Sequence, residues 1–213
     1  MPDLYKTSDG RIFDSLASGQ AHQNIQDEQA AAANAFYNRS KTKVLVTHTE
    51  YYRYSNGDIY SGDISEGYPA GYGKMKYANG NIYEGDWAYI NGGSVQHGKG
   101  KRTSADGDLY EGDFANGSAN GKGKMTYASG QIYEGDWVNG KFHGKGKKIL
   151  ANGNVYEGDF ADGLANGKGK MITKSGAVYE GDFANDKPNG KGKSTSADGT
   201  VREGTWKDGK LVG

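Results

Sequence analysis

Residues 121–137 read GKGKMTYASGQIYEGDW, and this stretch predicts a β-hairpin. Ser129-Gly130-Gln131 is the expected loop, because glycine readily adopts the positive φ that a tight hairpin turn requires. With a three-residue loop, Ala128 pairs with Ile132. Since strand side chains alternate with a period of two, every second residue then lies on the same face of the hairpin.

The two faces of this hairpin differ in chemistry. One face carries aromatic residues and glycines, with the expected pairs Tyr127–Tyr133, Met125–Gly135 and Gly123–Trp137. The other face carries polar and charged residues, with the expected pairs Thr126–Glu134 and Lys124–Asp136. A glycine opposite a large ring leaves room for that ring to lie across the neighbouring strand. The pattern therefore predicts an aromatic core on one face and a ladder of opposite charges on the other.

The hairpin is repeated along the chain. Tyr-Glu-Gly-Asp recurs at Tyr83, Tyr110, Tyr133, Tyr156 and Tyr179, with diverged copies at Tyr60 and Arg202. The spacing from Tyr83 onward is 23 residues, except for 27 residues between Tyr83 and Tyr110, with the four extra residues between Trp87 and Gly98. The same register predicts the pairs Lys74–Asp86, Lys101–Asp113, Lys147–Asp159 and Lys170–Asp182, whereas Lys193 would meet Thr205. Regular repetition of this kind is typical of solenoid proteins.

This repeat resembles the MORN repeat, the "membrane occupation and recognition nexus", whose pattern is Tyr-x-Gly-Asp-(Trp/Phe)-x-x-Gly-Lys-x-His-Gly-x-Gly. The fullest match begins at Tyr133 and runs through Gly140-Lys141-Phe142-His143-Gly144-Lys145-Gly146. The resemblance covers about residues 54–213 and implies an elongated, twisted array of antiparallel β-hairpins. It also implies a scaffold or binding role, often attributed to phospholipid membranes, and in some members self-association.

Composition supports an ordered repeat array and argues against several functional classes. The chain has 213 residues, 36 glycines and 16 tyrosines, and its hydrophobic fraction is 34%. A solenoid needs no large single core, because each unit packs on its neighbours. The 26 basic and 26 acidic residues give zero net charge, which argues against a nucleic-acid-binding protein. The chain has no cysteine, and we recognise neither a signal peptide nor an apolar membrane span. We expect a cytoplasmic location, with peripheral membrane contact if the protein binds lipid.

The first 43 residues have no counterpart in the repeat. Leu4–Thr7 and Arg11–Phe13 flank Ser8-Asp9-Gly10, which is a hairpin signal. The segment 16–37 is rich in Ala, Gln and Glu and predicts a helix. We therefore predict a mainly β fold with two parts: a small hairpin-plus-helix cap over residues 1–43 and the hairpin repeats over 44–213. A cap of this kind covers the first sheet edge, although a separate partner-binding module is an alternative.

No motif indicates catalysis, a cofactor or a metal. Gly192-Lys193-Ser194 resembles the end of a phosphate-binding loop, but Lys187 stands where that loop needs its first glycine. Asp106-Gly107-Asp108 fits turn chemistry and lacks the spaced carboxylates of a calcium loop. The four histidines, His22, His48, His97 and His143, do not lie at metal-ligand spacing. Because the polar residues form rows of equivalents, we expect no enzymatic activity.

Three functional hypotheses remain at this stage. The first is a protein–protein scaffold that binds a protein partner and forms homodimers, with candidate contact residues Tyr89, Ile90 and Val95 in the four-residue insertion and Trp206, Leu211 and Val212 at the C-terminal end. The second is peripheral binding of anionic phospholipid membranes through a lysine row: Lys99, Lys122, Lys145, Lys168 and Lys191. The third is binding of a glycan or a choline-type ligand by the repeat aromatics. We favour the first, because acidic residues flank the lysines and the aromatics match a core pattern.

Overall fold

The computed structural model describes residues 4–7 and 51–213 of the chain. Within these residues the regular secondary structure consists of β-strands alone, and no helix occurs among them. The chain divides into two compact units, residues 1–105 and 106–213, and we describe each one separately. The sequence-predicted helix at 16–37 and the strand expected at Arg11–Phe13 lie outside the described residues.

The first unit is a meander of antiparallel strands. Each strand pairs with the next in sequence. The strands are β1 (Leu4–Thr7), β2 (Tyr51–Tyr54), β3 (Ile59–Ser65), β4 (Tyr68–Lys76), β5 (Ile82–Ile90) and β6 (Gly93–Thr103). Because β1 pairs with β2, a segment from the predicted cap region joins the repeat sheet. The domain boundary at residues 43 and 44 stays a prediction.

The second unit continues the same pattern. Its strands are β7 (Leu109–Ala115), β8 (Ser118–Thr126), β9 (Ile132–Val138), β10 (Lys141–Ile149), β11 (Val155–Ala161), β12 (Leu164–Ile172), β13 (Val178–Ala184), β14 (Lys187–Thr195), β15 (Val201–Lys207) and β16 (Lys210–Leu211). Each strand again pairs antiparallel with its sequence neighbour. The predicted array of antiparallel hairpins is therefore confirmed.

The predicted register is wrong by two residues. Thr126 pairs with Ile132, so five residues, 127–131, form the loop instead of three. The Gly130 amide donates to the Tyr127 carbonyl, and the Tyr127 amide donates to the Gln131 carbonyl. The loop is thus a β-turn that contains Gly130, whose φ is +84°. Strand pairing therefore stops one residue pair farther from the turn than expected. A shift of two keeps every side chain on its predicted face.

The register shift changes the predicted cross-strand partners. On the aromatic face Met125 meets Tyr133, Gly123 meets Gly135 and Gly121 meets Trp137. On the charged face the lysines predicted to meet aspartates meet glutamates instead, in the pairs Lys74–Glu84, Lys147–Glu157 and Lys170–Glu180. Lys193 meets Glu203, and the pair with Thr205 belongs to Lys191. The charge ladder is present, but with different partners.

A second, shorter turn connects the hairpins at the opposite end of the strands. Between β9 and β10 it consists of Asn139 and Gly140, with φ of 49° and 77°. Two successive positive φ values define the tight turn that best matches the twist of paired strands. Each 23-residue repeat therefore contains two turns: a five-residue loop and a two-residue turn.

The core lies on the aromatic face, as predicted. The repeat tyrosines and the following Trp or Phe are buried, namely Tyr60, Tyr83, Trp87, Tyr110, Phe114, Tyr133, Trp137, Tyr156, Phe160, Tyr179 and Phe183. Each ring packs edge-on against its neighbour, with centroids 5.2 Å apart for Tyr133 and Trp137. The Tyr133 hydroxyl donates to the Asp136 carbonyl at 2.8 Å, and the Trp137 indole donates to the Gly123 carbonyl at 3.0 Å. The rings thus cross the strands and bond to the backbone that they cover.

Candidate interaction surfaces

The four-residue insertion is not a loop, which corrects the sequence-based expectation. It lengthens β5 and β6 by two paired residues each, so that Ala88 meets Val95 and Tyr89 meets Ser94. The turn keeps its two-residue form, with Asn91 and Gly92 at φ of 53° and 82°. Adding residues in equal number to both strands preserves register and face. We call this feature the extended hairpin.

The extended hairpin carries an exposed pair of tyrosines. Tyr89 packs on Tyr68 with ring centroids 4.6 Å apart and an angle of 32° between the ring planes. Tyr89 remains 41% exposed, and Ile90 and Val95 are half-buried. Desolvation, followed by Tyr68 and Glu66, raises the pKa of the Tyr89 phenol. The sequence-predicted residues Tyr89, Ile90 and Val95 therefore lie on one hairpin, and the structure adds Tyr68.

Sequence reasoning missed a buried polar group at the base of this hairpin. Gln96 is 8% exposed and occupies the position that Phe142 holds in the fullest repeat. Its amide nitrogen donates to the Tyr77 hydroxyl at 3.0 Å, and its oxygen accepts from the Arg102 guanidinium. Desolvation raises the pKa of Tyr77, against which the Gln96 hydrogen bond acts. The signal was a glutamine at a position that is apolar in most copies.

The C-terminal candidates do not share one role. Trp206 packs edge-on against Tyr179 at 5.1 Å and donates to the Gly192 carbonyl at 2.9 Å, as Trp137 does in its own repeat. Leu211 pairs with Trp206, and the Val212 amide donates to the Thr205 carbonyl. Leu211 and Val212 are 40% and 62% exposed. Trp206 is therefore a half-buried ring that packs on the aromatic face, whereas Leu211 and Val212 belong to a short tail along β15.

The face opposite the rings in the second unit carries two rows of alternating charge that run across the strands. The Lys/Glu row follows direct cross-strand pairs through Lys124, Glu134, Lys147, Glu157, Lys170, Glu180, Lys193 and Glu203. The Lys/Asp row consists of Lys122, Asp136, Lys145, Asp159, Lys168, Asp182, Lys191 and finally Thr205. Shallow depressions of about 840 and 390 Å³ lie between the rows over glycine backbone.

Most of the lysines proposed to bind lipid lie in the Lys/Asp row and have acidic partners. Ion pairs join Lys122 to Asp136, Lys145 to Asp159 and Lys168 to Asp182 at 2.5, 2.6 and 2.6 Å. These pairs are exposed, and each is worth about 0–1 kcal/mol. The hydrogen bond from Lys122 holds the pKa of Asp136 below its usual value, and that from Lys168 does the same for Asp182. The row is therefore close to electrically neutral.

A third row on the same face is β-branched and mostly apolar, and sequence reasoning missed it. The β-branched row comprises Thr126, Ile132, Ile149, Val155, Ile172, Val178, Thr195 and Val201, each paired directly with the next. None of these residues is buried, and Ile172 and Val201 are 38% and 52% exposed. Only the corrected register reveals the row, because it depends on which residues lie opposite one another.

No group of His, Asp or Glu side chains among residues 4–7 and 51–213 is arranged to hold a metal ion. No helix in that part of the chain is long and apolar enough to cross a membrane. His22 and His48 lie outside the described residues.

The repeats match a known family. MORN repeats are recognised at residues 60–82, 93–109, 110–132, 133–155, 156–178, 179–201 and 203–213. The chain belongs to the MORN repeat family. The matches leave out residues 83–92, which include the first half of the extended hairpin. A comparison of the sequence with curated proteins gave no match.

Several solved structures are similar to this MORN repeat chain at low sequence identity. The TCP domain of Drosophila melanogaster SAS-4, in complex with a proline-rich motif of Ana2, is 14% identical over 76% of this chain and 88% of that one, with a TM-score of 0.47. The TCP10 domain of Danio rerio CPAP, in complex with a STIL peptide, is 14% identical over 76% and 82% of the two chains, with a TM-score of 0.31. The family assignment rests on the repeats and not on these structures.

Proposed function

We propose that this MORN repeat protein is a non-enzymatic scaffold that binds a protein partner at the extended hairpin. The observation that carries the proposal is Tyr89, which stacks on Tyr68 and stays 41% exposed on a paired strand. Tyrosines held rigidly by their surroundings are typical anchors of protein interfaces, because little side-chain entropy is lost on binding. The extended hairpin is also where the repeat departs from its period, and a specific partner requires such an asymmetric feature.

The absence of enzymatic activity belongs to the same proposal. Catalysis requires different groups that converge on one reacting atom. The charged residues of the second unit instead form rows of equivalents along which the same pair recurs from strand to strand. The depressions between the rows are shallow and are lined by Lys, Glu and Gly, with a single Thr.

Matched substitutions test the partner site. Tyr89→Ala removes the exposed ring, and Val138→Ala changes a side chain of equal exposure, 41%, beside the turn of a regular hairpin. Proteins retained by the full chain are identified by quantitative mass spectrometry, and the best candidate is then titrated in purified form. We expect Tyr89→Ala to weaken its affinity by ~30-fold, as for a hot-spot residue, and Val138→Ala to leave it unchanged. Equal effects of the two substitutions would contradict the proposed site.

We also propose self-association through the outer edge of β15. Thr205 exchanges backbone hydrogen bonds with the C-terminal tail, and by alternation the backbone groups of Val201 and Glu203 point the same way. Among the described residues, β15 has a strand partner on that side only at Trp206 and Lys207. A strand edge that is unpaired among the described residues favours addition of a strand from a second copy, which gives a two-fold dimer. Leu211 and Val212 would flank that contact.

The edge is tested with Val201→Pro and light scattering. Proline removes one outward-facing amide and blocks strand addition, so the dimer should become a monomer. Trp206→Lys is a poorer test, because it also removes the packing of Trp206 on Tyr179. A dimer that survives Val201→Pro would exclude β15 pairing.

Binding of anionic phospholipid membranes and binding of a glycan or a choline-type ligand stay predictions. Ion pairs at Lys122, Lys145 and Lys168 weaken the attraction to anionic lipid, although Lys191 lies opposite Thr205. Steeply salt-dependent binding to phosphatidylserine vesicles would support the lipid function. The repeat rings are buried, which argues against a choline cage or a glycan platform. A cytoplasmic or membrane-peripheral location likewise stays a prediction.

A further inference from the structure

We propose that the charged face of the second unit docks on the same face of a second copy, around a two-fold axis parallel to the strands and between β11 and β12. This surface combines the β-branched row, the Lys/Glu row and the Lys/Asp row. It is separate from the extended hairpin, and it includes the face of β15 but not the outer backbone edge of that strand, so the inference stands without either of those contacts.

The β-branched row shows that this face has apolar area to bury. Ile149, Val155, Ile172 and Val178 lie side by side on the four central strands, and none is buried within the chain. Strand residues of this type stabilise a sheet when their side chains pack against a covering layer. Contact along the row would remove from water the apolar surface that these side chains now expose.

The Lys/Glu row identifies the covering layer as a second copy. The eight residues from Lys124 to Glu203 alternate strictly in charge, one on each strand from β8 to β15. A two-fold axis parallel to the strands reverses the order of the strands and keeps each row over itself. Glu157 of one copy then lies over Lys170 of the other, and Lys147 lies over Glu180. The row is therefore complementary to its own reversed copy.

Other symmetry axes give repulsive arrangements. An axis along a strand would place like charge over like charge at every step of the Lys/Glu row. An axis across the strands, along that row, would place every residue over its own copy. Between adjacent strands, the axis between β11 and β12 overlaps strands β8 to β15, and an axis between β10 and β11 overlaps β7 to β14, because Glu111 pairs with Lys124 and continues the row. Like-charge contacts suppress wrong arrangements, so the row restricts the axis to positions between strands, while the β-branched row contributes apolar burial. The mixture of charge-swap variants described below restores every opposite-charge contact only for the axis between β11 and β12.

In the Lys/Asp row the same axis also places opposite charges over one another, with one exception. The axis brings Asp159 over Lys168 and Lys145 over Asp182, whereas Lys122 meets Thr205 of the other copy. The depressions between the rows then face one another, and interfaces of this polarity commonly hold ordered water.

The size of the face suits a dimer. Eight strands at about 4.8 Å spacing give a length of about 34 Å across the sheet, and three rows with their side chains span about 20 Å. The resulting contact of about 700 Å² per copy is close to the ~800 Å² per partner of standard protein interfaces.

A charge-swap experiment on the full chain tests the inference. The acidic variant carries Lys147→Glu and Lys170→Glu, and the basic variant carries Glu157→Lys and Glu180→Lys. Each variant alone places like charges face to face and should be monomeric in sedimentation equilibrium, whereas an equimolar mixture should form a heterodimer. The control, Lys74→Glu with Lys101→Glu, makes the same charge change in the first unit and should leave the dimer intact. Thermal melts verify that each variant is folded.

The possible outcomes distinguish the face-to-face dimer from strand pairing at β15. Dimers of both variants alone, or a mixture that stays monomeric, would overturn the face contact. A monomeric unmodified protein at high concentration would overturn it as well. If Val201→Pro dissociates the dimer and the charge swap does not, β15 pairing is the self-association contact. Partner binding at Tyr89 is unaffected by any of these results.

Discussion

The crossing of Tyr133 over Gly146 provides the sharpest test of the core. A Cβ added at Gly146 would lie 2.5 Å from the Tyr133 hydroxyl oxygen and 2.7 Å from the two ring carbons Cε2 and Cζ. Close-packed carbon atoms are about 3.5–4.0 Å apart, so the ring must move by about 1 Å in Gly146→Ala. Gly146 itself does not have a positive φ, so the substitution tests the space alone.

The expected cost follows from what the displaced ring loses. Tyr133 stacks on Phe142 at 3.8 Å, packs edge-on against Trp137 and Phe160, and donates a 2.8 Å hydrogen bond to the Asp136 carbonyl. Overpacking costs about 1–3 kcal/mol and a lost hydrogen bond about 1 kcal/mol, so we expect ~3 kcal/mol for Gly146→Ala. At this chain length, ~3 kcal/mol corresponds to a decrease in Tm of about 6–12 °C.

A double-mutant cycle with Tyr133→Leu isolates this contact. In the Tyr133→Leu background the ring is absent, so Gly146→Ala should cost less than ~1 kcal/mol, which gives a coupling energy of ~2 kcal/mol. The control is Gly130→Ala, where no atom lies within 4 Å of the added Cβ but φ is +84°. It should cost ~1–2 kcal/mol in both backgrounds, because only its backbone conformation is affected. An equal cost of Gly146→Ala with and without the ring would refute the crossing arrangement.

Three other predictions concern the core, the extended hairpin and alkaline pH. Trp137→Ala should cost ~3–5 kcal/mol in chemical denaturation, because the ring is 3% exposed; a parental stability would show that it is not a core residue. Deleting residues 88–89 and 94–95 restores the 23-residue spacing. The free energy of unfolding should fall by only ~1 kcal/mol, mostly through loss of the Tyr68–Tyr89 contact. Unfolding of the variant would instead show that the insertion is part of the core. Burial raises the pKa of Tyr156 from 10.0 to about 12, so the folded state keeps a proton that the unfolded chain releases. Stability should therefore fall as pH rises from 10 to 12, and the phenolate absorbance of the buried tyrosines should appear together with unfolding.

The sequence predicted the faces of the sheet correctly and its register incorrectly, for a physical reason. Which face a side chain occupies depends only on the period of two, so a register error of two residues leaves it unchanged. Register depends on turn geometry, and Gly130 fits both a three-residue loop and the observed five-residue loop. Hydrogen bonds at Tyr127 select the latter. The missed β-branched row follows from this, because rows across strands are visible only in the correct register.

The four-residue insertion illustrates a second limit of prediction from the sequence. Four residues between Trp87 and Gly98 indicate a local addition, but composition alone does not distinguish a loop from longer strands. Asn91-Gly92 was the available signal, since Asn-Gly is typical of a two-residue turn and divides the insertion evenly between β5 and β6. The glutamine at position 96 was a visible exception to the apolar pattern, but its partners Tyr77 and Arg102 reach it only through the fold.

The two faces of the sheet have different roles. This difference explains how a repeat with so few apolar residues can bind a partner specifically. The aromatic face uses one tyrosine and one Trp or Phe per repeat, with hydrogen bonds from Tyr133 and Trp137 to the backbone that they cover, so packing is satisfied without the opposite face. The opposite face is then unconstrained by the core, and its rows repeat at the strand spacing. A periodic row by itself binds no partner in one place, because every register is equivalent. Specificity therefore has to arise where the period is broken, at the extended hairpin, or from a symmetry axis that selects one register, as in the proposed face-to-face dimer.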